Sequence, residues 1–326
     1  MDRDAKIYVA GYRGLAGSAI VRALRAAGYE RLLLRTRQEL DLTDRVAVER
    51  FFADERPEYV FLAAAKVGGI LANHTYPGDF IRENLLIQTC VIDSAYRHGA
   101  KKLLFLGSSC IYPRMAPQPM PESCLLTGPL EPTNSAYAMA KLAGIEMCEA
   151  YRRQFGFDCL SLMPTNLYGP CDNYDLQDSH VLPALVRRFH EAKHNGQSQV
   201  TVWGTGSPRR EFMHADDLAD AAVFLMRLPT RYTLVNVGVG EDISIRELAE
   251  LVRDVVQFDG QIHFDASKPD GTPRKLLDVS RLRSLGWQSR ISLREGVVAT
   301  YRSYLENESG TPSSAANTFH VLQNQT

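Results

Sequence analysis

Short apolar runs alternate with longer stretches of helical spacing in the first half of the chain. The apolar runs predict strands at residues 6–10, 32–35, 59–65, 102–108 and 159–164. The stretches between them predict helices at residues 18–27, 44–55, 79–98 and 134–155. Strands and helices that alternate in this order form right-handed crossover units, which build a parallel sheet covered on both faces. The pattern therefore predicts an α/β fold with a doubly wound parallel sheet.

The alternation loosens after residues 168–170. Helical spacing predicts further helices at residues 179–194, 215–227, 244–256 and 293–306, with a short strand at 200–203. A chain of 326 residues is long enough for one large α/β unit with an appended lobe. We predict a sheet domain at 1–170, to which some segments within 205–240 return, and a smaller α/β lobe mainly at 171–306. The remainder, 307–326, is rich in Ser, Thr, Asn and Ala and predicts a mobile tail.

Three glycines lie where the first predicted strand meets the first predicted helix. Glycines at such a junction allow a tight turn, close approach of backbone N–H groups to a pyrophosphate, and close packing of helix on sheet. An ordinary turn is the alternative, which the strand before it and the helix after it disfavour. The pattern therefore predicts a dinucleotide site on a Rossmann-type sheet. The residues of this glycine loop are Gly11, Tyr12, Arg13, Gly14, Leu15, Ala16 and Gly17.

The charge after the second predicted strand distinguishes between the two nicotinamide cofactors. An acidic residue there would bind the ribose 2′-hydroxyl of NAD(H), whereas arginines favour the 2′-phosphate of NADP(H). This chain has Arg35 and Arg37 there, and Arg13 in the glycine loop. Guanidinium groups match phosphate in charge and in geometry, so we predict NADP(H), with a solvated surface pair of arginines as the alternative. Asp41 follows too late to bind the ribose and is a candidate adenine partner.

Tyr137 and Lys141 are spaced to lie on one face of a predicted helix, roughly 5–6 Å apart at Cβ. We expect the charge of Lys141 to lower the pKa of Tyr137 from its usual value of about 10 and to hold the nicotinamide ribose. Tyr137 could then protonate a carbonyl oxygen as hydride reaches the carbon. Ser108 or Ser109, at the end of the preceding predicted strand, could orient that carbonyl, and the residue types do not separate the two.

The overall composition excludes several other classes of protein. The 37 basic and 38 acidic residues give a net charge of −1, which argues against a nucleic-acid-binding or membrane-surface function. We find no signal peptide and no run of about 20 apolar residues that could span a membrane. The six cysteines form no CxxC pair, so we expect a reduced, cytoplasmic protein. Without clustered Cys and His spacing, we expect no metal.

Long, ordered stretches of the sequence carry a resemblance to a known family. They are VAGYRGLAGSAI, LAAAKVGGI, LFLGSSCIYP, EPTNSAYAMAKLAGIEMCE, MPTNLYGPCDNY, SHVLPALVRRFHEA, REFMHADDLA and DASKPDGTPRKLLD. On these stretches the chain resembles the GDP-L-fucose synthases of the extended short-chain dehydrogenase/reductase family, through most of Lys6–Glu306. The resemblance implies a 3,5-epimerase and NADPH-dependent 4-reductase that converts GDP-4-keto-6-deoxy-D-mannose to GDP-L-fucose. It also implies a homodimer formed through the helices at 79–98 and 134–155.

Two residues gain a role from this resemblance. It implies that Cys110 is the base and His180 the acid that invert C3 and C5, whose hydrogens are acidified by the 4-keto group. The usual pKa values of these residue types, about 8.5 and 6.5, suit proton exchange near neutrality. From the residues alone, Cys110 would be a small buried residue and His180 a histidine at a helix start.

The resemblance also assigns the remaining ligand contacts. It selects Ser108 over Ser109 as the hydroxyl that orients the carbonyl. Besides the glycine loop, the cofactor contacts it implies are Arg37, Asp41, Leu106, Gly107, Lys141, Pro164, Thr165, Asn166, Leu167 and His180. The substrate contacts it implies are Arg188, Trp203, Arg210, Asp270 and Lys275. Surface arginines and a core tryptophan are the alternative interpretation of this last set.

Two other functions compete with this one. A related sugar-nucleotide epimerase or 4,6-dehydratase would hold NAD and recycle the hydride, and a dehydratase would place a threonine with acidic neighbours where this chain has Ser108, Ser109 and Cys110. The absent acids disfavour dehydration. A non-catalytic NADP(H) sensor on the same fold would not need Tyr137 and Lys141 together with a serine, a cysteine and a histidine.

Overall fold

The computed structural model describes residues 1–175, 179–229, 231–268 and 270–308, including all of their side chains except those of residues 70 and 71. The strands in chain order are β1 (Ile7–Ala10), β2 (Leu32–Leu33), β3 (Tyr59–Leu62), β4 (Lys102–Leu106), β5 (Asp158–Pro164), β6 (Asn166–Tyr168), β7 (Gln199–Trp203), β8 (Arg209–Arg210), β9 (Phe212–His214), β10 (Leu234–Val237), β11 (Ile243–Ser244), β12 (Gln261–Asp265) and β13 (Arg274–Lys275). The helices are α1 (Leu15–Ala26), α2 (Arg45–Glu55), α3 (Ile70–Thr75), α4 (Pro77–Arg97), α5 (Ser135–Phe155), α6 (Val181–His194), α7 (Ala215–Arg227), α8 (Ile245–Val256), α9 (Ser280–Ser284) and α10 (Leu293–Glu308). Three short 3₁₀ turns lie at Ser109–Ile111, Glu122–Cys124 and Pro132–Asn134.

A six-stranded, fully parallel sheet forms the centre of the molecule. Its strand order is β10-β5-β4-β3-β1-β2, so the chain leaves β1 in one direction and returns to the other side at β3. Such a reversal opens a crevice at the carboxyl ends of the strands, where ligands bind in this class of sheet. The architecture is the doubly wound, Rossmann-type sheet that the sequence predicted.

Alternating side chains of the strands bury both faces of this sheet. In β1, Tyr8 packs on the core that contains α2, α4 and α5, whereas Val9 packs on the core that contains α1 and α7. Residues Leu103 and Leu104 of β4 divide in the same way. Because successive side chains of a strand point to opposite faces, a strand that is covered on both sides must be apolar throughout. This explains the continuous apolar runs seen in the sequence.

Residues outside the apolar pattern set the ends of several helices. The Asp44 carboxylate accepts the N–H groups of Val46 and Ala47 at the start of α2. Gly156, with φ of 69°, ends α5 in the left-handed conformation that glycine adopts at little cost. Ser244 and Glu247 form a reciprocal capping box at the start of α8.

A second apolar core lies beside the sheet and belongs to the later part of the chain. It joins α6, α8 and α10 to β7 and β12 through buried side chains such as Phe189, Val202 and Leu248. Not all of the later chain lies in this core. Strand β10 completes the central sheet, and α7 packs against α1 in the sheet's own core.

Most predicted helices and strands match observed elements to within a few residues, with corrections to four of them. Strand β2 has two residues and β3 ends at Leu62, because the chain turns away at the ligand-binding edge. Helix α1 begins at Leu15, inside the glycine loop, where the prediction began it at residue 18. The last helix continues to Glu308, so residues 307 and 308 are helical. The remainder of the predicted mobile tail, 309–326, lies outside the described residues.

Candidate active site

The glycine loop connects β1 to α1 at the carboxyl edge of the sheet. Gly11 has a φ of +82°, and a Cβ there would lie 2.7 Å from the backbone of Ala64 on the neighbouring strand connection. A Cβ on Gly17 would lie 2.1 Å from the carbonyl oxygen of Gly11. Both positions therefore require glycine, the first for its backbone conformation and the second for close contact between helix and loop.

The amino terminus of α1 is open to an anionic ligand. Gly14 is its N-cap residue and has no side chain to satisfy the first-turn N–H groups, which carry the positive end of the helix dipole. Arg13 is exposed beside it. A pyrophosphate bound at this terminus would meet free N–H donors, so the loop fits a dinucleotide.

The two arginines after β2 differ in what they contact. The Arg35 guanidinium donates to Glu55 Oε1 at 2.8 Å and lies over the ring of Phe51, so it belongs to the fold. The Arg37 side chain is 70% exposed, and only long ion pairs of 3.8 Å to Asp41 and 3.7 Å to Glu83 restrain it. Arg37 is therefore the arginine available to a 2′-phosphate. Hydrogen bonds from Thr43 and the charge of Arg37 hold the pKa of Asp41 below its usual range, so Asp41 is an acceptor.

Helix α5 places Tyr137 and Lys141 in the interior beside β4. Lys141 is 3% exposed, and its ammonium donates to the carbonyl oxygen of Leu106 at 2.7 Å. The ammonium lies 6.0 Å from the centre of the Tyr137 ring and 4.7 Å from that of Phe105. Burial without a carboxylate partner lowers the pKa of Lys141 to about 8.

The expected lowering of the Tyr137 pKa is wrong for this arrangement. Burial raises the pKa of the phenol above its usual value, the Cys110 charge raises it further, and only a hydrogen bond with Ser108 acts against them. Lys141 is directed to the Leu106 carbonyl, so its charge is not aimed at the phenol oxygen. The phenol is therefore held protonated, as an acid must be before it donates a proton.

Ser108 lies between Tyr137 and Cys110. Its hydroxyl donates to the Cys110 sulfur at 3.0 Å and accepts the Cys110 N–H at 3.3 Å, which fixes the 3₁₀ turn that starts at Ser109. Ser109 is buried and has no such contact with Cys110 or Tyr137 among the described residues. The structure thus separates two serines that their residue type could not, and it brings Ser108 to the reacting groups.

Cys110 is a partly buried residue just after β4, in contact with the small apolar cluster of Ala72, Phe80 and Tyr137. Desolvation raises the pKa of this thiol, while the charges of Lys275 and Lys141 and the Ser108 hydroxyl lower it. The other described cysteines are buried, except for the exposed Cys171. Cys110 is therefore a thiol that lies among several polar groups.

His180 is the N-cap residue of α6, in a part of the chain remote in sequence from Cys110 and Tyr137. Its side chain keeps accessible surface, but the surrounding protein desolvates the imidazole and lowers its pKa below the usual value. Within the described part of the chain it makes no hydrogen bond or ion pair with Cys110 or Tyr137. The structure therefore places it at a helix start that could face a ligand.

The carboxyl ends of β4 and β5 supply the rest of the predicted cofactor contacts. Gly107 follows Leu106 directly, and a Cβ on it would meet the sulfur of Met163 at 2.7 Å. After Pro164, the Thr165 hydroxyl and the Asn166 amide both donate to the carbonyl oxygen of Glu211, at 3.1 and 2.8 Å. Leu167 follows within β6. These segments lie at the same sheet edge as the glycine loop, although Thr165 and Asn166 use their side chains to hold β6 to β9.

The five predicted substrate residues lie on neighbouring segments of the later part of the chain. The Arg188 guanidinium lies 5.9 Å from the ring of Trp203, which is 63% exposed and therefore no core residue. The Asp270 carboxylate accepts the N–H and hydroxyl of Thr205 at 2.9 and 2.7 Å. Register pairing of β13 with β8 sets Lys275 beside Arg210. These segments combine cations with a flat apolar ring, a combination suited to a nucleotide diphosphate.

Two buried polar residues that the sequence prediction missed hold the site together. The Glu211 carboxylate accepts the N–H groups of Gly240 at 2.7 Å and Leu277 at 3.0 Å. The Asn236 amide accepts the Tyr112 hydroxyl at 2.6 Å and donates to the carbonyl oxygens of Met120 and Asp278. The signal for Asn236 was present, since it is a polar residue inside the apolar run Leu234–Val237.

Comparison with known proteins agrees with this arrangement. The model of the NAD-dependent epimerase/dehydratase family matches residues 7–238. The chain belongs to this family. Within the family it belongs with the GDP-L-fucose synthases: GDP-L-fucose synthase 1 of Arabidopsis thaliana is 64% identical over 306 residues, covering 94% of this chain and 95% of that protein. GDP-L-fucose synthase of Escherichia coli strain K12 is 55% identical over 312 residues, covering 93% and 97%.

A solved member of the family has the same fold. The structure of a GDP-L-fucose synthetase from Naegleria fowleri bound to NADP has a TM-score of 0.89 to this chain, at 29% identity and with 96% of each chain covered. The epimerase/dehydratase family thus accounts for the sheet, the glycine loop and the position of the Tyr137–Lys141 pair. Among the described residues, no helix is long and apolar enough to cross a membrane, and no three acidic, His or Cys side chains are grouped to hold a metal ion.

Proposed function

We propose that this protein is a bifunctional enzyme that converts GDP-4-keto-6-deoxy-D-mannose to GDP-L-fucose by 3,5-epimerisation followed by NADPH-dependent reduction at C4. The observation that carries the proposal is the joint presence of Ser108, Cys110, Tyr137 and Lys141 at the carboxyl end of β4. A simple reductase needs the serine, tyrosine and lysine but has no use for a thiol among them. The relatives named above supply the identity of the sugar nucleotide.

The reductive half of the reaction uses groups that are already ordered. NADPH, when bound, supplies the hydride that adds to C4. Ser108 donates a hydrogen bond to the 4-keto oxygen, and Tyr137 transfers its phenolic proton to that oxygen as its charge develops. Lys141 holds the ribose, and its ammonium, 6.0 Å from the centre of the Tyr137 ring, stabilises the tyrosinate from a distance while it stays bonded to the Leu106 carbonyl. Arg13, Arg37 and the open start of α1 bind the phosphates, which selects NADP(H).

The epimerising half uses proton removal and return on opposite faces of the sugar ring. Cys110, as a thiolate, removes the proton from C3 or C5 and the electron pair moves onto the keto oxygen, forming an enolate. His180 returns a proton to the same carbon from the other face, which inverts it. Burial raises the pKa of Cys110 and of Tyr137 in the resting site, and the Ser108 hydroxyl opposes the shift at both groups, so the two chemistries share this hydroxyl.

A turnover assay tests this proposal directly. We expect the purified protein to oxidise NADPH when GDP-4-keto-6-deoxy-D-mannose is added, and mass spectrometry with sugar analysis to identify GDP-L-fucose. Oxidation that yields a C4-reduced sugar without inversion at C3 and C5 would contradict the epimerase half. NADPH binding without any oxidation would contradict the assignment of the substrate.

We further propose a cytoplasmic homodimer. Helices α4 and α5 pack together and expose large apolar side chains, among them Leu86 at 38% and Met139 at 50%, which a second copy could cover. The free cysteines suit a reducing compartment. Size-exclusion chromatography with light scattering, on the wild-type protein and on Met139→Lys, tests the interface: we expect a dimer that the variant weakens.

A further inference from the structure

Neighbouring cations on β13 have different partners. The Arg274 guanidinium pairs with the Asp242 carboxylate, which also accepts from Arg209 at 2.7 Å. The ammonium of Lys275, the next residue, makes no hydrogen bond or ion pair within the described chain, although Lys275 lies deeper. Because adjacent residues of a strand point to opposite faces, the two cations serve different surroundings. Burial of an unpaired ammonium costs folding free energy, so a contribution to stability does not explain why Lys275 lies there.

Backbone hydrogen bonds dock the strand of Lys275 onto the loop that follows Cys110. Met120 donates its N–H to the Leu276 carbonyl at 2.8 Å, and the Asp278 N–H donates back to the Met120 carbonyl at 2.9 Å. The Gln118 side chain accepts the Leu276 N–H at 2.8 Å. The chain next to Lys275 is therefore held against the loop that follows Cys110.

A buried side chain then ties both segments to the central sheet. Asn236, which has no exposed surface, accepts the hydroxyl of Tyr112 at 2.6 Å and donates to Met120 and Asp278 at 2.9 and 3.0 Å. Tyr112 is two residues from Cys110, and Asp278 is three residues from Lys275. The loop of the thiol and the strand of the ammonium thus share one anchor.

The charges around the thiol and the ammonium make each the other's principal electrostatic partner. Cys110 faces the ammonium groups of Lys275 and Lys141, the Ser108 hydroxyl and the Tyr137 phenol. Lys141 is already engaged by the Leu106 carbonyl. Lys275 faces Cys110, Arg210 and Glu131, and among these the Cys110 charge is the one that most favours its ammonium. The Glu131 carboxylate has an ion pair of its own with Arg114 at 3.4 Å.

We propose that Lys275 is a positioning residue for proton transfer, whose ammonium stabilises the thiolate form of Cys110, which is the form that removes the sugar proton. The inference rests on the proposed function for its purpose, since it supplies the base that the epimerisation needs. In that step the C–H bond of the sugar breaks, an S–H bond forms at Cys110, and the electron pair moves to the keto oxygen. Lys275 acts through Cys110 and keeps its own proton.

Alkylation of Cys110 by iodoacetamide tests this inference without any sugar nucleotide. The thiolate attacks the reagent, a carbon–sulfur bond forms and iodide leaves, so the rate follows the thiolate fraction. Peptide mass spectrometry separates Cys110 from the exposed Cys171. In Lys275→Met we expect the Cys110 rate near neutral pH to fall about tenfold and its pH midpoint to rise by about one unit. Lys275→Arg should restore the rate to within about threefold of wild type, because it keeps the charge.

Arg274→Met is the matched control, because it removes a cation from the same strand and breaks the pair with Asp242. A purely structural explanation predicts that this variant disturbs the Cys110 rate at least as much as Lys275→Met does. The inference predicts that it leaves the pH midpoint unchanged. NADPH binding in each variant verifies that the sheet is folded, since Lys275 is not a predicted cofactor contact.

The outcomes separate this inference from the proposed function. An unchanged pH midpoint in a folded Lys275→Met variant overturns the role of Lys275, whatever the enzyme turns over. A shifted midpoint in a protein that fails to epimerise the sugar nucleotide supports the pairing of Lys275 with Cys110 and overturns the proposed substrate chemistry instead. An equal shift in Arg274→Met also overturns the inference, since it would make the effect one of strand docking.

Discussion

The two halves of the active site are built in different ways. Tyr137 and Lys141 occupy one helix, 9% and 3% exposed, and one turn of α5 sets their separation. Cys110 and His180 come from a short 3₁₀ turn and from the start of α6, which belong to different cores. The relative position of the reducing pair follows from helix geometry, whereas that of the proton-transfer pair depends on how two parts of the chain dock.

This difference indicates where each chemistry is sensitive to substitution. The reducing pair should respond only to changes in its own side chains, because its geometry is local. The proton-transfer pair should respond also to residues that dock segments onto each other, such as Asn236, Glu211 and Lys275. Substitutions that damage one half and spare the other are therefore the means of testing the comparison.

Tyr137→Phe should have the largest effect. Without the phenolic proton we expect C4 reduction to fall by about 10³-fold, within the range for loss of a positioned general acid, while solvent deuterium still enters at C3 and C5. Steady-state NADPH oxidation and NMR of the exchanged sugar measure the two. Tyr151→Phe is the control on the same helix, since its hydroxyl contacts Asp93 away from the site. Equal loss of reduction and exchange would contradict the division between the halves.

Cys110→Ser should have the converse effect. A hydroxyl is a far weaker base than a thiolate, so we expect deuterium incorporation at C3 and C5 to fall by about 10²–10³-fold, with NADPH affinity unchanged. Cys171→Ser, at an exposed thiol outside the site, should leave exchange at the wild-type rate. Exchange in Cys110→Ser that continues at the wild-type rate would remove Cys110 from the role of base.

Asp172→Asn tests the segment that leads to His180. Oδ2 of Asp172 is buried without a partner, and burial raises the pKa of this carboxyl to about 7. At low pH the carboxyl is protonated in both the folded and the unfolded chain, so its burial does not lower the free energy of unfolding. As pH rises towards 7, this carboxyl ionises in the unfolded chain before it ionises in the folded one, so the free energy of unfolding falls. Above pH 7 the carboxyl is ionised in both states, and the free energy of unfolding falls no further on its account.

The asparagine variant should therefore be more stable than wild type at pH 8, by on the order of 2 kcal/mol, and equally stable near pH 4. Urea unfolding at the two pH values measures the difference. Asp54→Asn, at an exposed carboxylate, should change stability by less than about 0.5 kcal/mol at either pH. A gain for Asp172→Asn that is the same at both pH values would rule out ionisation as its cause.

Arg37→Met should have the smallest effect, and it should change only the binding of the cofactor. Loss of one charge-assisted phosphate contact predicts an increase of about tenfold in the KM for NADPH, with little change in the KM for NADH. Arg35→Met is the matched control, because its guanidinium is already bound to Glu55. Parallel loss of affinity for both cofactors in Arg37→Met would show that the arginine does not contact the 2′-phosphate.

Local pattern was enough to predict most of the sheet and the reducing pair. Buried strands are apolar throughout, helices have their own period, and the Tyr137–Lys141 spacing is meaningful within a single helix. Short strands of the later chain, such as β6, β9 and β13, carry too few residues for any period to appear. Their pairing is determined by tertiary contacts, so the sequence prediction could not place Lys275 beside Arg210 or near Cys110.

The site residues divide in the same way. Gly11 and Gly17 are recognisable because their backbone environment admits no other residue. The roles of Cys110 and His180 came from the family resemblance alone and stay predictions, since thiols and imidazoles occur in many surroundings. The prediction of a lowered pKa for Tyr137 was wrong. Spacing along a helix indicates which residues are neighbours, but it does not indicate which acceptor a lysine ammonium binds. Here that acceptor is the Leu106 carbonyl.

The anchoring of Asn236 in the central sheet bears on how this chain could be recombined. Residue 170 looks like a natural junction for exchanging the later part of the chain with that of a relative of different sugar preference. Yet Asn236 and Glu211 lie beyond that junction, and their contacts reach back to Tyr112, Met120 and Thr165. A chimera joined at 170 would therefore inherit the anchor from one parent and the catalytic loop from the other, so the 110–122 loop should be transplanted together with the later half.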